Sequence, residues 1–491
     1  MSRSPSSEDV PECGSLQAPC FTLQYALKEI AIDLDNILLD STHEYFQNTT
    51  LDITKQLTLD SYRTITDRDE QMQRHYIIIN STLLPFFNIS SSNVTIQNIT
   101  FRIAGDFPYD TKEWKPLIRL NYASHFLQIL NCTFITSYVI ELFDLKYYSD
   151  DKLNIQILHT KFQGYIFNKY KSFSGSAYLA TEMRRCWKRN IKNTINRSIL
   201  NLTQISFLLK KCTFINVLFD LILLNDKVQN VNNTKFIDST FNATFISYVT
   251  FSDDNTYNTY SLENCSFYES SVQLSCLGQI DIKLSNCRFM GSNDDPLFYF
   301  MLDIHGNAGE IRISNTTFED GIYGALNVHS ESWVYPTLKV VIQSCIFLNN
   351  TVLNLPFMPF GRAGAITVTS YNLVIKDTEF HNNSAAGSRV GSVLIKMFYN
   401  SSGGDTSASI QNITIISETF ERSNTPVLIR PEDFSDGPTF LIDETTDIWC
   451  GYGQYMQFVN NERTYLSITC TTCKTSTYNV KDIDRNISRR S

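Results

Sequence analysis

The feature that most constrains this chain is a change of parity that a straight strand cannot make. In residues 280–289 the apolar Ile282 and Leu284 alternate with polar neighbours, as on a half-buried strand, yet after Asn286 the apolar residues are Cys287 and Phe289. Side chains alternate faces along a strand, so keeping both sets inside requires the backbone to bend at Asn286. Asn suits such a bend because it tolerates the left-handed backbone region. The flip recurs along the chain. Leu127 and Ile129 precede Asn131, Cys132 and Phe134; Ile155 and Ile157 precede His159, Thr160 and Phe162; Phe207 and Leu209 precede Lys211, Cys212 and Phe214. Leu262 leads into Asn264, Cys265 and Phe267, and Ile311 and Ile313 into Asn315, Thr316 and Phe318. Val340 and Ile342 precede Ser344, Cys345 and Phe347, and Leu373 and Ile375 precede Asp377, Thr378 and Phe380.

The repeat is therefore a strand, a polar corner, a small residue, any residue, and Phe. Most copies return after roughly 22 to 33 residues, a period at which no unit buries its apolar face alone and stacking supplies the core. Short runs of Ile, Leu, Val and Phe separated by Asn, Ser, Asp and Gly make the unit β, not helical. The expected fold is all-β: a parallel β-helix, or solenoid, whose coils stack at about 4.8 Å. Such an array escapes the size limit of a single globular core, so 491 residues are compatible with one long domain.

In this scheme the corner residues are Asn131, Asn264, Asn286, Asn315 and Asp377, and the rings of Phe134, Phe214, Phe267, Phe289, Phe318, Phe347 and Phe380 form the core. Corner Asn side chains are expected to stack and to satisfy backbone groups there. Cys132, Cys212, Cys265, Cys287 and Cys345 take the small inward position, where a thiol serves as a buried filler. Cys13 with Cys20, and Cys450 with Cys470 and Cys473, lie outside the repeat and are disulfide candidates closing small loops. Cys186 and Cys276 belong to neither group. Cys470-Thr-Thr-Cys473 lacks the second ligand pair of a zinc site, and no metal or cofactor is expected.

The net charge of −9 is scattered over the chain, which favours solubility and gives no reason to expect a nucleic-acid partner. Seventeen Asn-x-Ser/Thr sequons are present, among them Asn48, Asn80, Asn93, Asn201, Asn242, Asn315, Asn382 and Asn412. Several coincide with corners. Residues 1–11 are polar, and no apolar run approaches the roughly twenty residues of a membrane helix. End cysteines and sequons nevertheless look extracellular. The expectation is a cell-surface or extracellular chain whose signal or anchor lies in segments outside this sequence, through which any membrane association would come.

Along the chain, residues 1–12 form a polar lead. Residues 21–32 read as an amphipathic helix with Thr22 as N-cap, covering the open end of the first coil. An apolar strand follows at 36–39, a turn at Glu44-Tyr45, and a strand at 51–59. The order Cys-x6-Cys, Thr-Leu-Gln-x-Ala-Leu, Ile-Leu-Leu, Glu-Tyr, then Leu-x-Ile-x-Lys-x-Leu-Thr-Leu resembles the entry of right-handed parallel β-helix, pectin-lyase-like surface proteins. Phe347-Leu-Asn-Asn350 and Phe380-His-Asn-Asn383, with Gly324-Ala325-Leu326 and Gly364-Ala365-Ile366, are similar to repeats of chlamydial polymorphic outer membrane proteins and of protist surface proteins. The resemblance covers about residues 10 to 430 and implies a single-stranded right-handed coil with an N-terminal capping helix, placed here at 13–445. Within it, an insertion near 168–200 carries Arg184, Arg185, Trp187, Lys188, Arg189 and Lys192, and a Pro-containing loop runs over 355–362. Residues 446–491, with Cys450-Gly-Tyr-Gly, Cys470, Cys473 and Thr477-Tyr478, resemble one unit of a Cys-rich module that follows such coils in protist receptors and adhesins.

Pectin-lyase-like folds include polysaccharide-degrading enzymes, and inverting glycosidases need two carboxyl groups about 6.5–9.5 Å apart. Asp294, Asp295, His305 and Arg312 follow the order of polygalacturonase motifs, but a first Asn-Thr-Asp block is absent, Ile304 replaces a Gly and Ser314 a Lys. Asp294 and Asp295 before Pro296 equally suit a turn, and His305 beside Gly306 a loop. No Ser/His/Asp order, phosphate-cradling loop or two-His metal motif is visible. The expectation is a non-catalytic scaffold or ectodomain binding glycans or surface proteins, with a pectin-lyase-like glycoside hydrolase or lyase as the alternative.

Overall fold

The computed structural model describes residues 9–15, 18–40, 45–47, 49–62, 75–80, 85–104, 116–121, 126–136, 140–145, 152–164, 204–215, 217–224, 231–242, 245–251, 257–291, 300–322, 324–330, 337–352, 363–370, 372–385, 390–397, 407–416, 425–431, 439–442, 446–449, 454–461 and 465–472. Asp294, Asp295, Cys186, Cys450, Cys473, Glu44, the 168–200 insertion and the 355–362 loop lie outside them. The described chain is all-β with parallel sheets, and it divides into two compact units, Met1–Phe251 and Ser252–Ser491.

In the first unit, strands separated by one repeat pair in parallel and in register. Asn93–Gln97, Phe126–Leu130, Lys152–Leu158, Gln204–Lys210 and Val231–Ile237 form one row. Beyond the corner, Ile99–Ala104, Thr133–Thr136, Lys161–Gln163, Thr213–Ile215 and Thr240–Asn242 form a second. A third contains Leu51–Ile53, Phe87–Ile89, Pro116–Leu120, Ile140–Leu145, Val217–Leu224 and Phe245–Phe251. Register brings identical repeat positions face to face. The rings of Phe101, Phe134, Phe162, Phe214 and Phe241 consequently stack at 4.7, 4.8, 5.3 and 4.9 Å with nearly parallel planes.

The second unit repeats the plan. Phe267, Phe289, Phe318, Phe347 and Phe380 stack at 4.4, 4.8, 4.8 and 5.1 Å, each essentially without solvent contact. The long strands Ser271–Ser285 and Leu302–Ser314 carry two rows in one run, with a register shift between Cys276 and Gln279 where the chain bends. At Gly364 an added Cβ would lie 2.4 to 2.7 Å from the carbonyls of Ser384, Asn350 and Gly391, so only glycine allows the rungs to approach there. Among the described residues, the last parallel rung is Asp447–Trp449 on Thr414–Ile416. An antiparallel hairpin, Gln454–Asn461 with Tyr465–Thr472, follows, and its second strand pairs with Thr425–Pro431, covering the edge of that other row.

The N-terminal cap is shorter than the 21–32 expectation: an α-turn at Leu23–Tyr25 continues as a π-helical turn at Ala26–Ile30. Thr22 accepts a hydrogen bond from Tyr25 N–H, and the Asp9 carboxylate accepts from the N–H groups of Phe21 and Thr22. Cys13 and Cys20 are joined by a disulfide. Two local expectations fail. Residues 51–59 make two strands, Leu51–Ile53 and Leu57–Tyr62, because each end pairs with a different row. Tyr45 lies not in a turn but in the strand Tyr45–Gln47, paired with residues 77–79.

Candidate functional site

The corners adopt the left-handed backbone. Asn131, Asn264, Asn286, Asn315 and Asp377 have φ between 48° and 54°. Asn98, His159, Lys211, Asp238, Ser344 and Asn412 are left-handed too, with φ between 46° and 59°. Their side chains are exposed or half-buried, and backbone groups on the buried side of the corner need partners that point inward. That task falls to the next residue, which points inward. The Oγ1 of Thr160, Thr316 and Thr378 and the Oγ of Ser239 each donate to the carbonyl two residues back, and accept the N–H of Cys132, Cys287, Cys345 and Cys212 respectively.

The inward thiols are thus more than filler. Each of Cys132, Cys212, Cys287 and Cys345 approaches two carbonyl oxygens, at 3.2 to 3.6 Å, while Cys265 approaches the carbonyl of Glu263. Burial pushes the Cys212 thiol up to about 11 and that of Cys345 to about 12. Cys265 and Cys287 sit on neighbouring rungs, and the hydrogen bond from Cys265 holds the Cys287 thiol below its usual range. Cys470 lies in the closing hairpin.

A second corner escaped the sequence reading. Asp320, Asn349 and Asn382 are also left-handed, and the residue after each of the two asparagines is a buried amide. Asn350 donates to Phe318 O and to Asn383 Oδ1 and accepts from Gly321 N–H. Asn383 donates to Phe347 O and accepts from Asn350 N–H. Adjacent Asn-Asn pairs differ by one residue in parity, which alone decides which amide is buried.

The most chemically varied cluster lies on the outer face of Leu302–Ser314 and Leu326–His329. Leu302, Ile304, Leu326 and Val328 are fully buried, so alternation turns Asp303, His305, Asn327 and His329 outward. Register places Asp303 opposite Asn327 and His305 opposite His329. Asn327 Nδ2 donates to Asp303 Oδ1 at 2.7 Å, and His305 Nε2 lies 3.1 Å from the same oxygen, with both side chains 22% exposed. The two imidazoles meet edge to face at 5.7 Å. The arrangement offers a carboxylate-oriented imidazole, a second imidazole and an amide on a half-buried face, suited to hydroxyl-rich ligands or to proton transfer.

His305 therefore lies in a strand and not in a loop. Arg312 is seven residues further along the same strand and is not part of the cluster. Its Nε donates to Glu310 Oε2 at 2.6 Å, Lys339 Nζ meets Glu310 Oε1 at 3.0 Å, and the Arg312 hydrogen bond, with help from Lys339, holds the Glu310 carboxyl below its usual range. Sequence reading missed Asp303, Asn327 and His329. The signal was present as Asp303-Ile-His305 and Asn327-Val-His329, a polar-x-His pair recurring on consecutive rungs. Among the described residues no group of three or more His, Cys, Asp or Glu is placed to hold a metal. Comparison with protein-family models, curated proteins and solved structures gives no match to this chain.

Proposed function

We propose that each unit is a right-handed parallel β-helix and that the chain is a non-catalytic cell-surface or extracellular scaffold that binds glycans or surface proteins. The observation that carries this reading is the parallel return of the strand rows from one repeat to the next within each unit, in register over most of the described pairings, which gives each unit regular outer faces. Right-handedness is supported by the strong preference of parallel β-crossover connections for that hand. An extracellular setting is supported by the Cys13–Cys20 disulfide. No helix among the described residues is long and apolar enough to cross a membrane.

Asp303, His305, Asn327 and His329 supply the acceptors and donors that a sugar hydroxyl array demands. Glycan-array binding by the whole chain, with Asp303→Ala and His329→Ala variants, tests the reading. Saturable binding lost in either variant supports it, and binding unchanged in both removes the cluster from recognition. One observation favours the enzymatic alternative: the Asp303–His305 pair is the geometry by which a carboxylate orients a general base. New reducing ends or unsaturated products from a polysaccharide panel, abolished by Asp303→Asn, would establish it instead.

A further inference from the structure

The corner geometry and the sequons coincide more closely than composition requires. Seven sequon asparagines, Asn98, Asn131, Asn264, Asn315, Asn349, Asn382 and Asn412, have left-handed φ between 46° and 59°. At the first corner the fold explains the pattern: Asn makes the bend, the next residue points inward, and the third, Thr or Ser, faces outward on the following strand.

These sites are not equivalent. In the second unit Asn264, Asn315 and Asn412 are exposed, and their partner hydroxyl residues Ser266, Thr317 and Thr414 are only partly covered. In the first unit Thr100 and Thr133 are 2% and 6% exposed. There Asn131 Nδ2 donates to Asn98 Oδ1 and Asn98 Nδ2 donates to Asp60 Oδ1, both at 2.9 Å, in a part-buried chain of amides. Asn412 also donates, to Asp377 Oδ1 at 2.7 Å, but an amide nitrogen bearing a sugar keeps one hydrogen for that bond.

We propose that Asn264, Asn315 and Asn412 are N-glycosylation sites that set a row of glycans along one edge of the second unit, and that Asn98 and Asn131 remain bare in the folded protein. The donor is a polyisoprenyl-diphosphate oligosaccharide. Asn Nδ2 forms a bond to the anomeric carbon, the bond from that carbon to the diphosphate oxygen breaks, the lipid diphosphate leaves with the electron pair, and one amide proton passes to the transferase. Asn264 and Asn315 are two rungs apart, with Asn286 between them, or about 9.6 Å. Three rungs, about 14 Å, separate Asn315 from Asn412, through Ser344 and Asp377. Each glycan therefore clears its neighbour. At the second corner Asn349 N–H donates to His381 O, so Asn349 and Asn382 sit on adjacent rungs about 4.8 Å apart, and a glycan on one covers the other.

The inference rests on the extracellular reading, and the test separates the two. The full chain is secreted from a eukaryotic host behind a cleavable signal peptide, so that entry into the glycosylating compartment is imposed, and site occupancy of the folded, secreted product is read by glycopeptide mass spectrometry. Occupancy at Asn264, Asn315 and Asn412, none at Asn98 or Asn131, and never both Asn349 and Asn382 on one molecule is the expected result. Thr317→Ala, Ser266→Ala and Thr414→Ala leave the corners intact, and each removes one glycan's worth of gel mobility shift. Bare Asn264, Asn315 and Asn412, or occupancy of Asn98 and Asn131 in folded protein, overturns the proposal. Whether the native protein from its source shifts on glycosidase treatment tests the extracellular reading alone.

Discussion

Replacing Phe318 by alanine probes the stacked core at its most regular point. The ring is fully buried, lies 4.8 Å from Phe289 and 4.8 Å from Phe347, and is within 10° of parallel to both. A buried Phe removes about 150–250 Å² from water, which at about 25 cal/mol per Å² is roughly 4–6 kcal/mol before the retained Cβ is deducted. Truncation should therefore cost about 3–5 kcal/mol. Leucine isolates the ring contribution, since it keeps most of the apolar volume and loses two stacks of about 0.5–1.5 kcal/mol each. The assay is guanidinium unfolding of the full chain, followed by circular dichroism and tryptophan fluorescence, with midpoints compared at unchanged m. A double-mutant cycle of Phe318→Leu with Phe347→Leu should return a coupling of about 0.5–1.5 kcal/mol. A cost below about 1 kcal/mol for Phe318→Ala, or strict additivity in the cycle, would refute the stacked-ring account.

Three further outcomes follow from the same geometry. Lys211 holds φ at 53°, so Lys211→Gly should stabilise by about 0.5–1 kcal/mol while Asn286→Val destabilises by about 1–2 kcal/mol; thermal melts giving the opposite signs would dismiss corner strain. Asn383→Leu leaves Phe347 O and Asn350 N–H without their partner and should cost at least about 3 kcal/mol, read by the denaturation midpoint, with a loss under about 1 kcal/mol excluding a structural role for the buried amide. Cys345, raised by burial from 9.0 to about 12, keeps its proton in the folded state while the unfolded thiol loses it, so its contribution is full below pH 9 and declines as pH climbs towards 12. Relative to Cys345→Thr, which copies the residue already present at Thr316 and Thr378, the wild type should lose about 1.4 kcal/mol per pH unit in that window; parallel pH profiles would show that the thiol does not titrate on unfolding.

The class of fold was legible because a parity flip is a geometric statement: Leu284 and Phe289 share an interior only if the chain bends between them. The rung at Asp238, Ser239 and Phe241 was less visible, since Val231–Ile237 puts Thr234 on the inward side and breaks the apolar alternation. At the second corner, Asn349-Asn350 and Asn382-Asn383 stood out as motifs, but which amide would be buried depended on where each turn ended.

What the sequence determined by itself is local: strand type, corner positions and the inward ring, all set by alternation and backbone preference within ten residues. Only the tertiary structure decided which rungs became neighbours. Stacking turned Thr and Ser hydroxyls into acceptors of the preceding rung's N–H groups, set the thiols against backbone carbonyls, and brought Asp303, His305, Asn327 and His329 onto one face. Residues 24 apart in sequence meet there because parallel pairing superposes whole repeats, and no window shorter than a repeat contains that information.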